Sequence, residues 1–430
     1  MKRIIILMLM GVLFLGNKPN MVNEVSYQSD TFSSIYSLID KKEYFRFKNL
    51  FEASRNDLIE WQVLYFDVID ATISNKPELG VKYADELLNK YGDIIADSLK
   101  KDIISSQILN NVHLFDYKGA DLASQDILNN YSQFLDEDEL VEFENDAKLW
   151  NIAKNVLPQT VNISSDSKLE LINSFAGRNI EATIGGKTKP FIFDTGANFS
   201  VLIRSVALDM GVKLLPGDFK VTSITGEKIP AELGVAESVQ IGNMTFQNVL
   251  FLVFPDEEFT FGPDMVIEGI IGFPVINAMK ELRFSENHIF VPKTPTQKSY
   301  SNLALDGFTP VIEMVVNNDS LCFGFDTGAN GTMLYPPFYL SAKDDFDKNY
   351  ELKKYKFGGA GGIIEVDAYL IEDLVLKTGE TSNSLKDTYV LISSLGEDSK
   401  YFYGNLGMDF IGVYKTYIIN FEDMFIDFER

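Results

Sequence analysis

Two aspartates stand in nearly the same twelve-residue setting. Aligned without gaps at an offset of 132, FIFDTGANFSVL (191–202) faces FGFDTGANGTML (323–334), and eight of the twelve positions are identical. In each copy a carboxylate, Asp194 or Asp326, precedes Thr-Gly-Ala, a tight loop in which glycine permits a backbone approach that a Cβ would forbid. Packing of the copies about a pseudo-twofold axis would bring the two carboxylates together. Like charges a few ångströms apart cannot both ionise, so such a pair shares a proton and its two titrations are driven apart. One carboxylate can then take a proton from a bound water while the other protonates or hydrogen-bonds a carbonyl. This chemistry requires neither metal nor histidine.

The elements that must position these loops are also duplicated. The same offset sets Gly185-Gly186 over Asn317-Asn318, both favoured in tight hairpin turns, so each loop follows the returning strand of a hairpin. Further on, Gly269-Ile270-Ile271-Gly272-Phe273 corresponds to Gly404-Asn405-Leu406-Gly407-Met408. Each is followed by a helix-like stretch and a final β-like run, Leu282 to Val291 and Ile418 to Phe428. Breaks at Pro158 to Ser167 and Pro292 to Asn302 bound the two copies. Before them, from about Thr31 to Leu157, apolar residues recur at helical spacing, as in Leu79, Tyr83, Leu87, Leu88 and Tyr91. Glu86-Leu87-Leu88-Asn89-Lys90-Tyr91 is echoed forty residues later by Asp126 to Tyr131, which suggests a short helical-repeat solenoid, with a plain bundle as the alternative. The acidic run Asp136 to Glu139 suits a helix start. The predicted organisation is multidomain: a leader over 1–20, an all-α solenoid-like domain over 21–160, and two all-β lobes over 168–292 and 303–430. The helical segment, ending in a Pro/Ser/Asn linker, reads as separable.

Composition excludes several classes of function. With 38 Lys+Arg against 62 Asp+Glu, the net charge of −24 repels phosphate backbones, so nucleic acid is not an expected partner. One cysteine, Cys322, cannot form an intrachain disulfide or a cysteine zinc site, and reads as a small core residue. Two histidines, His113 and His288, cannot supply a multi-histidine metal site, and no cofactor or metal is expected. Trp61 and Trp150 read as packing residues in the helical segment.

The doubled Asp-Thr-Gly-Ala loops resemble those of aspartic peptidases, and this form is most similar to the retropepsin-like family. The resemblance covers about residues 170 to 430, two copies in one chain, the bilobal arrangement that pepsins also have. It implies an acid-protease fold, Asp194 and Asp326 as a catalytic dyad, Thr195 and Thr327 as hydroxyl braces between the loops, and Gly196 and Gly328 as contacts to substrate backbone. Ile270-Ile271-Gly272 and Leu406-Gly407 would pack behind the loops. Ala197 and Ala329 stand where pepsins place a hydroxyl beside the outer carboxylate oxygen, which implies activity nearer neutral pH. Asn198 and Asn330 depart from the Ser, Thr or Asp commoner there. The glycine-rich run Gly358, Gly359, Gly361 and Gly362 lacks the Lys-Ser/Thr of a phosphate loop and reads as a flap or β-turn, with Gly226 near its stiffer counterpart in the first copy.

These readings imply an endopeptidase acting on peptides or unfolded proteins, its catalytic unit monomeric, with the helical domain free to bind a protein partner. The alternatives are an exported peptide-binding protein that does not cut its ligand and an assembly module. Lys2 and Arg3 before the apolar run Ile4 to Leu15 have the order of a secretory leader, although no A-x-A site follows and an uncleaved anchor stays open. Glycosylation sequons at Asn198 and Asn330 fall inside the catalytic loops, where a glycan would block the site. The expectation is therefore a bacterial protein, periplasmic or extracellular, with no stable membrane insertion once the leader is removed.

Overall fold

The computed structural model describes residues 30–429 apart from 176, 223–227, 263–264, 328, 330, 360–361 and 396–397. The predicted leader lies outside the described residues, as do Gly226, Gly328, Asn330 and Gly361. The helices α1 (Asp30–Asp40), α2 (Tyr44–Ser54), α3 (Glu60–Ile73), α4 (Pro77–Tyr91), α5 (Asp97–His113), α6 (Tyr117–Asp126) and α7 (Glu137–Ala153) come first. From α3 onward each packs on the next, in the stacked order of a helical repeat. Local chemistry sets their starts. Pro77 opens α4, where its missing N–H has no intrahelical partner to lose. At α7, Asp136 Oδ1 accepts from Glu139 N–H at 2.9 Å and Glu139 Oε2 accepts from Asp136 N–H at 2.8 Å, a capping box built from the acidic run.

The remainder is a bilobal β structure. In the first lobe, β1 (Gly177–Ile184) and β2 (Lys187–Phe193) form a hairpin whose turn residues Gly185 and Gly186 have φ of 57° and 77°. It joins β3 (Ser200–Ile203), β4 (Lys213–Thr222), β5 (Lys228–Ile241) and β6 (Gly269–Ile271) in a nine-stranded sheet. In the second, the hairpin of β7 (Thr309–Val316) and β8 (Asp319–Phe325) turns through Asn317 and Asn318, φ 52° and 71°, the left-handed geometry that asparagine tolerates best after glycine. With β9 (Met333–Leu334), β10 (Lys353–Gly359), β11 (Gly362–Thr378) and β12 (Gly404–Leu406) it belongs to an eight-stranded sheet. A five-stranded sheet then joins the lobes, because Glu281–Phe284 of the first pairs antiparallel with Thr416–Asn420 of the second.

The helical segment is no detachable unit in its packing, contrary to the expectation of separability. Its α1 to α5 residues share a core with Ala304, Val311, Cys322 and Phe402 of the second lobe. Lys42 Nζ meets buried Asp306 at 2.5 Å, and Tyr44 Oη donates to the other oxygen of Asp306 at 2.6 Å. Asn75 Nδ2 donates to Phe421 O at 2.8 Å. Half-buried His113 stacks on Phe308 with centroids 4.7 Å apart, and desolvation pushes its imidazole down to about 4. Helix α7 serves the first lobe: Asn145 pairs with both the N–H and the C=O of Lys220 on β4, and Glu142 pairs with Lys228 on β5. Trp150 lies 6.2 Å from Phe199, within the first Asp-Thr-Gly-Ala loop region.

Candidate active site

Each loop leaves the end of a returning hairpin strand, β2 or β8, and is gripped from behind by a short apolar segment. Asp194 N–H donates to Ile271 O at 3.2 Å, and Asp326 N–H donates to Leu406 O at 3.1 Å. β6 runs parallel to β2 and antiparallel to β3; β12 stands in the same relation to β8 and β9. The glycines that close these segments are sterically required. A Cβ on Gly272 would come within 2.4 Å of the Phe199 backbone, and one on Gly407 within 2.5 Å of the Gly331 backbone. Ala197 O accepts from Phe273 N–H and Ala329 O from Met408 N–H, each at 2.8 Å. The duplication therefore extends to individual hydrogen bonds.

Asp194 and Asp326 are both buried, 5% and 2% exposed. Burial first, and the charge of Asp326 second, push the Asp194 carboxyl up to about 7, against the opposing pull of Gly196 N–H, which donates to Oδ1 at 2.8 Å. Asp326 Oδ1 accepts from Ala329 N–H at 3.1 Å, and its Oδ2 accepts from Asn405 Nδ2 at 3.2 Å. Across the pseudo-twofold axis the hydroxyls of Thr195 and Thr327 approach to 3.4 Å. Buried Ala197 and Ala329 offer no hydroxyl to either carboxylate. Two acids so placed could share one proton, with Asp194 raised to about 7.

Asp194, Thr195, Gly196, Ala197, Asp326, Thr327 and Ala329 thus converge on one centre. Gly358, Gly359 and Gly362 stand instead at the end of the β10–β11 hairpin, where Gly358 pairs with Ile363 and Gly359 with Gly362. Sequence reasoning passed over the hydroxyls behind the loops. Ser200 Oγ accepts from Gly272 N–H and Thr332 Oγ1 from Gly407 N–H, both at 3.1 Å, and Thr332 also donates to Asp409 Oδ1 at 2.6 Å. Their signal was visible, since Ser200 and Thr332 are aligned hydroxyl residues at the offset of 132. Among the described residues no cluster of three or more His, Cys, Asp or Glu could hold a metal. His288 opens the strand His288–Val291 with Nδ1 2.8 Å from Ser285 Oγ, and burial pushes the Cys322 thiol up to about 12, which leaves it unreactive.

Residues 180–275 match the family model described as aspartyl protease. No curated protein matches the chain. Among solved structures, a retropepsin-like aspartic protease from Rickettsia conorii is similar at 19% identity and TM-score 0.21, over 31% of this chain and 90% of that one. Basic 7S globulin from soybean is similar at 13% identity and TM-score 0.37, over 62% and 96% of the two chains. A structure described as edgp is similar at 10% identity and TM-score 0.35, over 60% and 92%. The aspartyl-protease match thus falls on the first lobe, and the backbone hydrogen bonds that grip its Asp-Thr-Gly-Ala loop are repeated in the second, behind an N-terminal helical region.

Proposed function

We propose that the protein is an aspartic endopeptidase in which Asp194 and Asp326 form the catalytic dyad. The observation that carries this reading is the approach of two buried carboxylates, one from each copy, close enough for the charge of Asp326 to raise the titration of Asp194. In the reaction one carboxylate takes a proton from water as its oxygen bonds to the scissile carbonyl carbon. The other gives its proton to the carbonyl oxygen, and collapse of the tetrahedral species breaks the C–N bond as the amine is protonated. Gly196 and Gly328 would present backbone to the substrate, and the hairpin that carries Gly358 to Gly362, with its first-lobe counterpart around Gly226, would fold over it. Both half-sites lie in one chain, so the catalytic unit is monomeric. The apolar run after Lys2 and Arg3 supports an exported location, periplasmic or extracellular, where unfolded proteins are natural substrates.

Incubation of the purified protein with a denatured protein mixture between pH 4 and 8, read by mass spectrometry, tests the proposal. New termini that a statine-type inhibitor suppresses, and that Asp194→Asn and Asp326→Asn each abolish, are the expected result. Peptide capture without cleavage at any pH would replace it with the peptide-binding alternative.

A further inference from the structure

The two half-sites match in the backbone bonds that grip their loops; the loop donor to the carboxylate differs, Gly196 N–H for Asp194 and Ala329 N–H for Asp326, and so does one rung of the supporting ladders. In the first lobe Ile192 on β2 pairs with Ile270 on β6. At the same rung of the second lobe Gly324 on β8 pairs with Asn405 on β12. The two differences are linked sterically. A Cβ on Gly324 would come within 2.6 Å of Asn405 Oδ1, so the missing side chain at 324 makes room for the amide at 405. In the space so created Asn405 Nδ2 reaches Asp326 Oδ2 at 3.2 Å. Ile270 offers no donor at the matching position, and Asp194 accepts from Gly196 N–H on its Oδ1 alone among the described residues.

A hydrogen bond to a carboxylate favours its ionised form, and more so where the surroundings are dry. We propose that Asn405 is the positioning residue that makes the dyad unequal, holding Asp326 as the carboxylate and leaving the shared proton on Asp194. The inference rests on the dyad reading above and deepens it. Asp326 then accepts the proton released as water bonds to the carbonyl carbon, and Asp194 delivers its own to the carbonyl oxygen. The rise of Asp194 to about 7 agrees with this division. Of the charged groups nearby, Asp326 is the one whose charge bears on Asp194, while Asp409, beyond β12, is engaged by Thr332 and by Phe410 N–H.

Asn405→Leu removes the donor and keeps a side chain of similar size. The double variant Gly324→Ile/Asn405→Ile installs the first-lobe rung and guards against a misfit of the single change. Two readouts are needed: the pH dependence of kcat/KM on a peptide cleaved by the wild type, and a 13C-carboxyl NMR titration of the aspartates, with Asp326→Asn as the assignment control. Loss of one donor should raise the Asp326 titration and the acidic limb of kcat/KM by about one pH unit, a tenfold change in proton affinity. A merely structural role would lower stability without moving either midpoint. Unmoved midpoints in whichever variant is folded would overturn the role of Asn405 and leave the peptidase reading standing. A shifted carboxyl titration in a protein that cleaves nothing would uphold the control of Asp326 by Asn405 and sink the peptidase reading instead.

Discussion

Replacing Asp194 with Asn should make the protein more stable above neutral pH while abolishing cleavage. The folded carboxyl titrates at about 7 against an ordinary 3.8, chiefly because it is buried and secondly because Asp326 lies beside it. Between those two values the folded chain keeps a proton that the unfolded chain releases, so native stability falls as pH rises through the window. Below about pH 4 both forms are protonated and nothing is lost; above about pH 7 the whole cost is present. About three units at roughly 1.4 kcal/mol each set an upper limit on the order of 4 kcal/mol. Asn is close to isosteric and carries no charge, so it relieves the cost. Urea unfolding at pH 4, 5.5 and 8 is the assay. Fluorescence of Trp150, buried beside Phe199, follows the first loop, and Trp61 follows the helices. The variant should exceed the wild type by about 2 to 4 kcal/mol at pH 8 and by less than about 0.5 kcal/mol at pH 4. A gap that is constant with pH, or widest in acid, would refute the assignment of a buried, proton-sharing pair.

Four further perturbations have outcomes set by the same geometry. Ala197→Ser places a hydroxyl beside the carboxylates and should lower the acidic limb of the cleavage profile by about half to one pH unit, read from kcat/KM against pH. Gly359→Ala with Gly361→Ala should reduce cleavage several-fold more than it reduces thermal stability, because a lid must change backbone conformation as it closes; equal losses would mark a structural turn. A chain begun at Ser164 should fail to give soluble folded protein by circular dichroism and gel filtration, since it uncovers the apolar surface of Ala304, Val311, Cys322 and Phe402, and Lys42→Met in the full chain, which leaves Asp306 buried without its cation, should cost about 3 kcal/mol.

The duplicated loops were legible because their chemistry is local. Turn glycines and asparagines, the Asp-Thr-Gly-Ala run and the Gly-containing segments each declare a backbone geometry within a few residues, and the offset of 132 ties them together. The docking of the helices was not legible, because pairs such as Lys42 with Asp306 or Asn145 with Lys220 carry no mark of their partner in one sequence. The clue lay in α5, whose Lys101, Asp102, Ser105, Ser106 and Asn110 are all buried; a helix covered on its polar faces as well as its apolar one has neighbours on every side. Asn405 escaped for a different reason. It reads as an ordinary polar residue until its rung is compared with Ile192 and Ile270, and then the paired departure to Gly324 and Asn405 stands out.

The joint core of α1 to α5 with the second lobe also governs the order in which the chain can be completed. A ribosome releases Phe32, Tyr44, Phe47, Tyr65 and Phe66 first, yet the surface that buries them includes Ala304, Val311 and Phe402, and Asp306 lies 264 residues after Lys42. During synthesis the part of this helical core that faces Ala304, Val311, Cys322 and Phe402 therefore stays uncovered until those residues have emerged. Contacts of such large sequence separation form late and slow the folding of a chain. The strand that carries Asp326 reaches this shared core through Cys322, so the seating of the second half-site is coupled to the docking of the helices.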